Sequence, residues 1–201
     1  MKSLTHTLLL SCLLLLPVLL STPVAAAQTQ SQTQTQSPPQ ITVRQEGNIL
    51  TVEGNMVTSL THLNAWVVLT DYARFPEFVP GINSNRVMEQ RKDFKLIDQR
   101  GMISNKQFQM PYQGVMQVEE RKRDGVPEGM KILFLSGPLK DVEGEWNIQP
   151  GKPLGLIYRM RMDLTKTPFP PPMAASIVEQ QVRTWVDAFS REMQVVKRIK
   201  E

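Results

Sequence analysis

Few side chains in this sequence are of a type that does chemistry, and their spacing narrows what they could do. The 201-residue chain holds one cysteine, Cys12, and two histidines, His6 and His62. A thiolate or histidine metal centre needs several such ligands close together, so neither is expected. There is no glycine-rich phosphate loop and no G-x-S-x-G nucleophile turn. The remaining polar candidates are Asp98 and Arg100, two apart in one strand-like run, then Glu143, Glu145 and Tyr158. Glu143 and Glu145 alternate against Trp146, and period-two alternation turns them outward. Tyr158 shares a parity with apolar neighbours and points inward. A buried phenol wants a partner, either a ligand oxygen or a core backbone group. With Arg100 to neutralise a head group and Asp98 as an acid or base, Tyr158 makes a sparse enzyme set without a convincing general base. His62 falls near a helix start, where an exposed or capping role is the default. No metal or cofactor is expected.

The elements that position these residues begin after a leader. Lys2, an apolar run from Leu8 to Leu20 and Ala25-Ala26-Ala27 predict a secretory signal peptide over 1–27. Leu9-Leu10-Ser11-Cys12 fits a lipobox poorly, which disfavours lipidation. Cys12 would leave with the leader. An exported, cysteine-free chain suits a bacterial periplasm. The Gln/Thr/Ser-rich stretch 28–40 has no apolar periodicity and reads as a disordered tether. Without Lys2 the 23 basic residues become 22 against 19 acidic ones. The charges alternate in sign, with small clusters at Arg121-Lys122-Arg123 and Lys197-Arg198. A nucleic-acid surface would concentrate them on one face, so no nucleic-acid partner is expected. Transient contact with an anionic membrane is the minority reading.

From Ile41 to Ile199 the pattern is that of one domain. Ile41–Gln45 and Ile49–Met56 flank a Glu46-Gly47-Asn48 turn. Thr58 and Ser59 offer N-cap oxygens for a helix from about Leu60 to Tyr72, and Pro76 and Pro80 restrict the next segment to a second short helix or turn ending at Gly81. The period then becomes two over Val87–Gln90, Phe94–Gly101, Gln107–Glu119 (with a break near Pro111), Met130–Gly137, Val142–Ile148 and Leu156–Leu164. Short turns between them predict an antiparallel meander. A long amphipathic helix runs from about Met173 to Ile199, with Val178, Val182, Trp185, Phe189, Met193 and Val196 on one face. The inward strand positions are Leu156, Tyr158, Met160, Met162 and Leu164; Val142, Gly144, Trp146 and Ile148; and Phe108, Met110, Met116 and Val118. Gly144 is read as the place where the sheet bends.

Two stretches resemble a known family. Trp66 to Gly81, with Asp71-Tyr72-Ala73-Arg74-Phe75-Pro76-Glu77-Phe78, is similar to the signature of coenzyme Q-binding START-domain proteins, also described as polyketide cyclase/dehydrase-like (SRPBCC). Ser136 to Ile148, with Gly137-Pro138-Leu139-Lys140 and Gly144-Glu145-Trp146, resembles a strand shared with that family and its ribosome-association-toxin relatives. The resemblance implies an α+β helix-grip fold of the START/Bet v 1 type. A curved antiparallel sheet would wrap a long C-terminal helix, with two short helices after the first strand. It implies a pocket between sheet and helix lined by Trp66, Phe75, Phe78, Phe108, Met110, Met116, Trp146, Tyr158, Met160, Met162, Val182, Trp185 and Phe189. Phe75 and Phe78 read equally as core residues or as a mobile lip, and Trp66 reads first as core. Ten methionines besides Met1 suit an adaptable apolar lining. The expected function is an exported binding protein that sequesters or carries a lipid-like, isoprenoid or quinone molecule. The alternatives are a cyclase/dehydratase built on Tyr158, Arg100 and Asp98, and a protein-interaction module using Phe75 to Val79.

Overall fold

A computed structural model describes residues 38–104 and 109–200. The expected leader, most of the expected tether and Phe108 lie outside the described residues. The chain opens with a hairpin of β1 (Gln40–Glu46) and β2 (Ile49–Thr58), then α1 (His62–Thr70), a 3-10 turn (Tyr72–Arg74) and α2 (Phe75–Phe78). Six strands come next: β3 (Ile82–Gln90), β4 (Lys95–Ser104), β5 (Gln109–Arg123), β6 (Val126–Phe134), β7 (Glu143–Gln149) and β8 (Leu154–Asp163). The long helix α3 (Pro171–Lys200) closes the domain.

All eight strands form one antiparallel sheet in the order β1-β2-β8-β7-β6-β5-β4-β3. The six later strands are a simple meander, and the opening hairpin returns to pair with the last of them, Gly54 opposite Tyr158. The curved sheet and long C-terminal helix make the helix-grip fold. A curved sheet leaves its concave face apolar, and only α3 is long enough to cover it. The helix packs chiefly on β2. Gly54 permits that approach, because a Cβ there would come 2.6 Å from a Val186 methyl.

Several boundaries differ from expectation for identifiable reasons. Thr61, rather than Thr58 or Ser59, caps α1: its hydroxyl accepts the Asn64 amide at 3.3 Å. Thr58 accepts the Leu60 amide instead, in a turn before the helix. β6 starts at Val126 because Asp124 and Gly125 both take positive φ, 52° and 81°, the geometry of a two-residue hairpin turn. β5 is continuous through Pro111. Opposite it, Met102 gives its amide to Gly81 on the β3 side, and β5 pairs with β6 only from Met116 onward. The missing N–H of Pro111 therefore faces no strand and costs nothing.

The face assignments hold along β7 and β8. Val142, Trp146, Ile148, Leu156, Tyr158, Met160, Met162 and Leu164 are buried. On the outer face, Arg159 meets Glu53 at 2.6 Å and Glu145 at 3.7 Å, and Arg161 meets Glu143 at 3.5 Å.

Candidate functional site

The concave side is organised around aromatic rings. Trp146 of β7 and Tyr158 of β8 are directly paired across strands, with ring centroids 4.8 Å apart. Trp185, contributed by α3, lies 5.6 Å beyond Tyr158. Phe189, one helical turn further along the same face, sits edge-on to Trp146 at 5.2 Å. Phe189 also meets Phe75 and Phe78, each at 5.2 Å. The rings thus form one uninterrupted contact run from α2 at the surface to Tyr158, which has no solvent exposure.

Among the other expected lining residues, Val182, Met116, Met160, Met162 and Trp66 are buried, while Phe78 and Met110 are partly buried against the core. Met162 sits away from the rings, toward the Val142 end of the sheet. Phe75 is buried and Phe78 partly buried, with ring centroids 5.7 Å apart, so both are packed, Phe78 being the outermost ring of the run.

The interior carries two polar atoms without a partner among the described residues, Tyr158 Oη and Trp185 Nε1. Burial, reinforced by the nearby Tyr112, pushes the Tyr158 phenol far above its ordinary pKa, so it remains a protonated donor. Gly144 explains where the hydroxyl fits: a Cβ at this position would stand 3.1 Å from Oη and 3.3 Å from Ile132. The missing side chain makes room for the tyrosine, in addition to any effect on strand curvature.

A second interior polar group has no counterpart among the expected site residues. Tyr112 donates to Gln99 Oε1 at 2.8 Å, Gln99 Nε2 donates to Asn85 Oδ1 at 3.1 Å, and Asn85 Nδ2 donates to the Tyr72 carbonyl at 2.8 Å. All are buried, and the chain of bonds ties β5, β4 and β3 to the 3-10 turn. The parity of Tyr112 with Met116 is a visible signal; nothing in the sequence marks Asn85 and Gln99 as inward.

The enzyme set expected from Tyr158, Arg100 and Asp98 is not assembled. On β4, Ile97, Gln99 and Ile103 face the core, so Asp98 and Arg100 face out. Asp98 accepts from Gln113 Nε2 at 2.8 Å and pairs with Arg100 at 3.4 Å. Tyr158 is on the opposite face. His62 contacts the Pro127 carbonyl, linking α1 to β6. Among the described residues no group of three or more His, Cys, Asp or Glu side chains is arranged to hold a metal, and no helix is long and apolar enough to cross a membrane.

An ionic contact fastens the outer end of the ring run. Arg74 donates to Glu77 at 2.9 Å and, across the helices, to the buried Glu192 of α3 at 3.1 Å. Beside it a groove of about 230 Å³ is lined by Val67 and Val68 of α1, Phe78 of α2, and Val196 and Ile199 of α3. Val67 and Ile199 are exposed there, as is Leu63 one turn before Val67 on α1. The sheet's outer face holds a larger depression of about 500 Å³, but Lys131, Arg159 and Arg161 there are matched by Glu119, Glu143 and Glu145.

A curved sheet gripping a helix through an aromatic interior defines the START/Bet v 1 class of folds. Within it, residues 64–190, more than half of the chain, match the family described as polyketide cyclase / dehydrase and lipid transport, and the protein belongs to that family. Solved structures agree on the fold. The Zhui aromatase/cyclase from a Streptomyces species is 14% identical, with 76% of this chain and 96% of that one aligned at a TM-score of 0.58. A STAR-related lipid transfer protein from Xanthomonas axonopodis is 12% identical, with coverages of 79% and 99% and a TM-score of 0.57. Human StAR-related lipid transfer protein 5 is 10% identical, with coverages of 82% and 89% and a TM-score of 0.59. Comparison with curated protein sequences gave no match.

Proposed function

We propose that this protein is an exported carrier that sequesters an apolar small molecule between the sheet and α3. The observation that carries the reading is the ring run from Phe78 at the surface to Tyr158 in the interior. An apolar ligand entering along it exchanges ring–ring contact for ring–ligand contact, and Phe78 and Phe75 are the first rings it must displace. A ligand burying about 300 Å² of apolar surface gains about 7.5 kcal/mol at roughly 25 cal/mol per Å², before the cost of association and of moving the rings. Membership of a family that includes lipid transport supports the reading, as do neighbours named lipid transfer proteins. The resemblance of Trp66 to Gly81 to coenzyme Q-binding proteins favours an isoprenoid or quinone cargo within the lipid-like class. Residues 1–27 support export to a periplasm. The exposed Val67 and Ile199 of the groove suit brief contact with a membrane during transfer. The cyclase/dehydratase alternative loses support from the outward placement of Asp98 and Arg100.

The test is native mass spectrometry of Gln28–Glu201 secreted to a bacterial periplasm, with organic extraction of bound species and titration with an apolar fluorescent probe. A discrete co-purifying apolar molecule, displaced by the probe, is the expected result. A clean mass together with no probe binding overturns the proposal.

A further inference from the structure

Tyr158 and Trp185 limit what the carried molecule can be. Both rings are buried, both lie in the run of contacts between sheet and helix, and their polar atoms have no partner among the described residues. An indole N–H can only donate, and a protonated phenol donates readily. The Tyr112 hydroxyl, which acts on Tyr158 electrostatically, gives its proton to Gln99 Oε1 and makes no hydrogen bond with Tyr158. The missing side chain at Gly144 leaves room for the phenol oxygen, since a Cβ there would stand 3.1 Å from Oη. Among the described residues neither donor has an acceptor within hydrogen-bond reach.

The described residues do not offer a counter-ion to this position either. Lys95, on the inner side of β4, is paired with Glu120, and Arg74 at the lip is paired with Glu192. Asp98 and Arg100 are on the other face of the sheet. A carboxylate or phosphate brought to Tyr158 would lose its hydration with no cation to replace it, which is far costlier than burying a neutral oxygen whose hydrogen bond is made.

We infer that the bound molecule is uncharged and largely apolar, and that it presents one acceptor oxygen, a carbonyl or ether, to Tyr158 Oη and Trp185 Nε1. This rests on the carrier reading above and narrows it: a neutral oxygenated lipid is admitted, while a fatty acid or a phospholipid head group is refused at this position.

A matched series tests it. 2-Ethylnaphthalene, 2-acetylnaphthalene and 2-naphthoate share a ring system and differ in having no oxygen, a neutral carbonyl or a carboxylate. Calorimetric titration of the whole purified protein should show the ketone binding about tenfold tighter than the hydrocarbon, one good hydrogen bond's worth or about 1.4 kcal/mol, and the naphthoate weaker than the ketone. Tyr158→Phe should shrink the ketone's advantage over the hydrocarbon to roughly threefold or less, and Trp185→Phe should act in the same direction. A single cooperative urea transition, read independently of ligand, is the check that each variant is folded. Equal affinity for ketone and hydrocarbon in the unmodified protein, tightest binding of the naphthoate, or a Tyr158→Phe variant that keeps the full ketone preference would overturn the inference and leave the carrier reading intact. If none of the three binds the unmodified protein, the carrier reading itself fails and takes this inference with it.

Discussion

Two tyrosines in one core should respond oppositely to the same substitution. Tyr158 and Tyr112 are both buried, and Phe replaces either with the loss of one oxygen. In Tyr112 that oxygen donates to Gln99 Oε1 at 2.8 Å. Removing it strands the acceptor of a buried amide, and Tyr112→Phe should cost about 1–3 kcal/mol. In Tyr158 the oxygen has no partner among the described residues. Its desolvation already burdens the ligand-free protein by a similar about 1–3 kcal/mol. The substitution relieves that burden and forfeits only the dispersion contacts of one atom, about 0.1–0.2 kcal/mol each. A net gain of about 1 kcal/mol is expected, raising Tm by about 2–4 °C for a domain of this size. The assay is urea unfolding of delipidated protein, with the m-value confirming that the unfolding transition is unchanged. A Tyr158→Phe variant destabilised by as much as Tyr112→Phe would refute the reasoning, because it would mean the hydroxyl has a hydrogen-bond partner in the ligand-free protein and is not waiting for one.

Phe189 joins Trp146 to Phe75 and Phe78, so Phe189→Ala should cost about 3–5 kcal/mol in chemical denaturation and loosen α2; a cost below about 1 kcal/mol would show that the rings do not act as one packed unit. Gly54→Ala places a methyl 2.6 Å from Val186 and should destabilise by about 1–3 kcal/mol, whereas a neutral result would mean α3 sits further from β2. Arg74→Ala removes the cation facing Glu192; because Arg74 is half-exposed and its pairing is screened by solvent, global stability should change little. Hydrogen exchange of the Val79 amide, which is bonded to the Phe75 carbonyl, should nevertheless accelerate, and unchanged exchange would remove Arg74 from any role in holding the lip. Burial alone would raise the Glu53 pKa, but hydrogen bonds from Arg159 and Asn55 outweigh it and hold the carboxyl below its ordinary 4.5. A depressed folded-state pKa stabilises fully above the unfolded value and is lost as pH falls through the folded one. Glu53→Gln should therefore flatten the stability profile below about pH 4.5, and an unaltered acid limb would contradict that.

How far the sequence reveals this molecule depends on which residues carry the pattern. β7 and β8 alternate large apolar with charged side chains, so their faces, and the inward position of Tyr158, are directly legible. The α3 stripe through Val182, Trp185 and Phe189 is equally plain. Only the second half of β3 is legible, because Ile82-Asn83-Ser84-Asn85-Arg86 has no apolar alternation; it is a strand at the sheet edge, and its buried Asn85 is satisfied by Gln99 and the Tyr72 carbonyl, bonds to residues remote in sequence. The Arg74–Glu192 pair spans the whole meander and has no local signature. Glu192 does fall three residues after Phe189 on the apolar face of α3, where a carboxylate needs a partner, but the identity of that partner comes only from the fold. The Tyr158–Arg100–Asp98 grouping fails for a simpler reason: alternation fixes which residues of one strand share a face, and it leaves open whether two strands present the same parity to the same side.

On the carrier proposal, packing and function compete for the same residues in the ring run. Edge-to-face contacts through Phe189 stabilise the closed interior, and a ligand carried as proposed would break some of them to reach Tyr158. The layers are graded accordingly. Tyr158 and Phe189 are deeply buried, Phe75 is buried nearer the surface, and Phe78 is only partly covered, so the contacts cheapest to lose are the ones a ligand meets first. Low local stability at an entry segment is what loading requires, and the half-exposed Arg74 sets how firmly that segment is held without adding much to global stability. The two unpartnered donors at the far end tilt the balance the other way. They make the closed state worse than a wholly apolar core would be, and under the proposal a neutral acceptor oxygen recovers that free energy only on reaching Tyr158. Specificity for such an oxygen and a penalty on the empty state would then be the same physical term, read in the presence and in the absence of cargo.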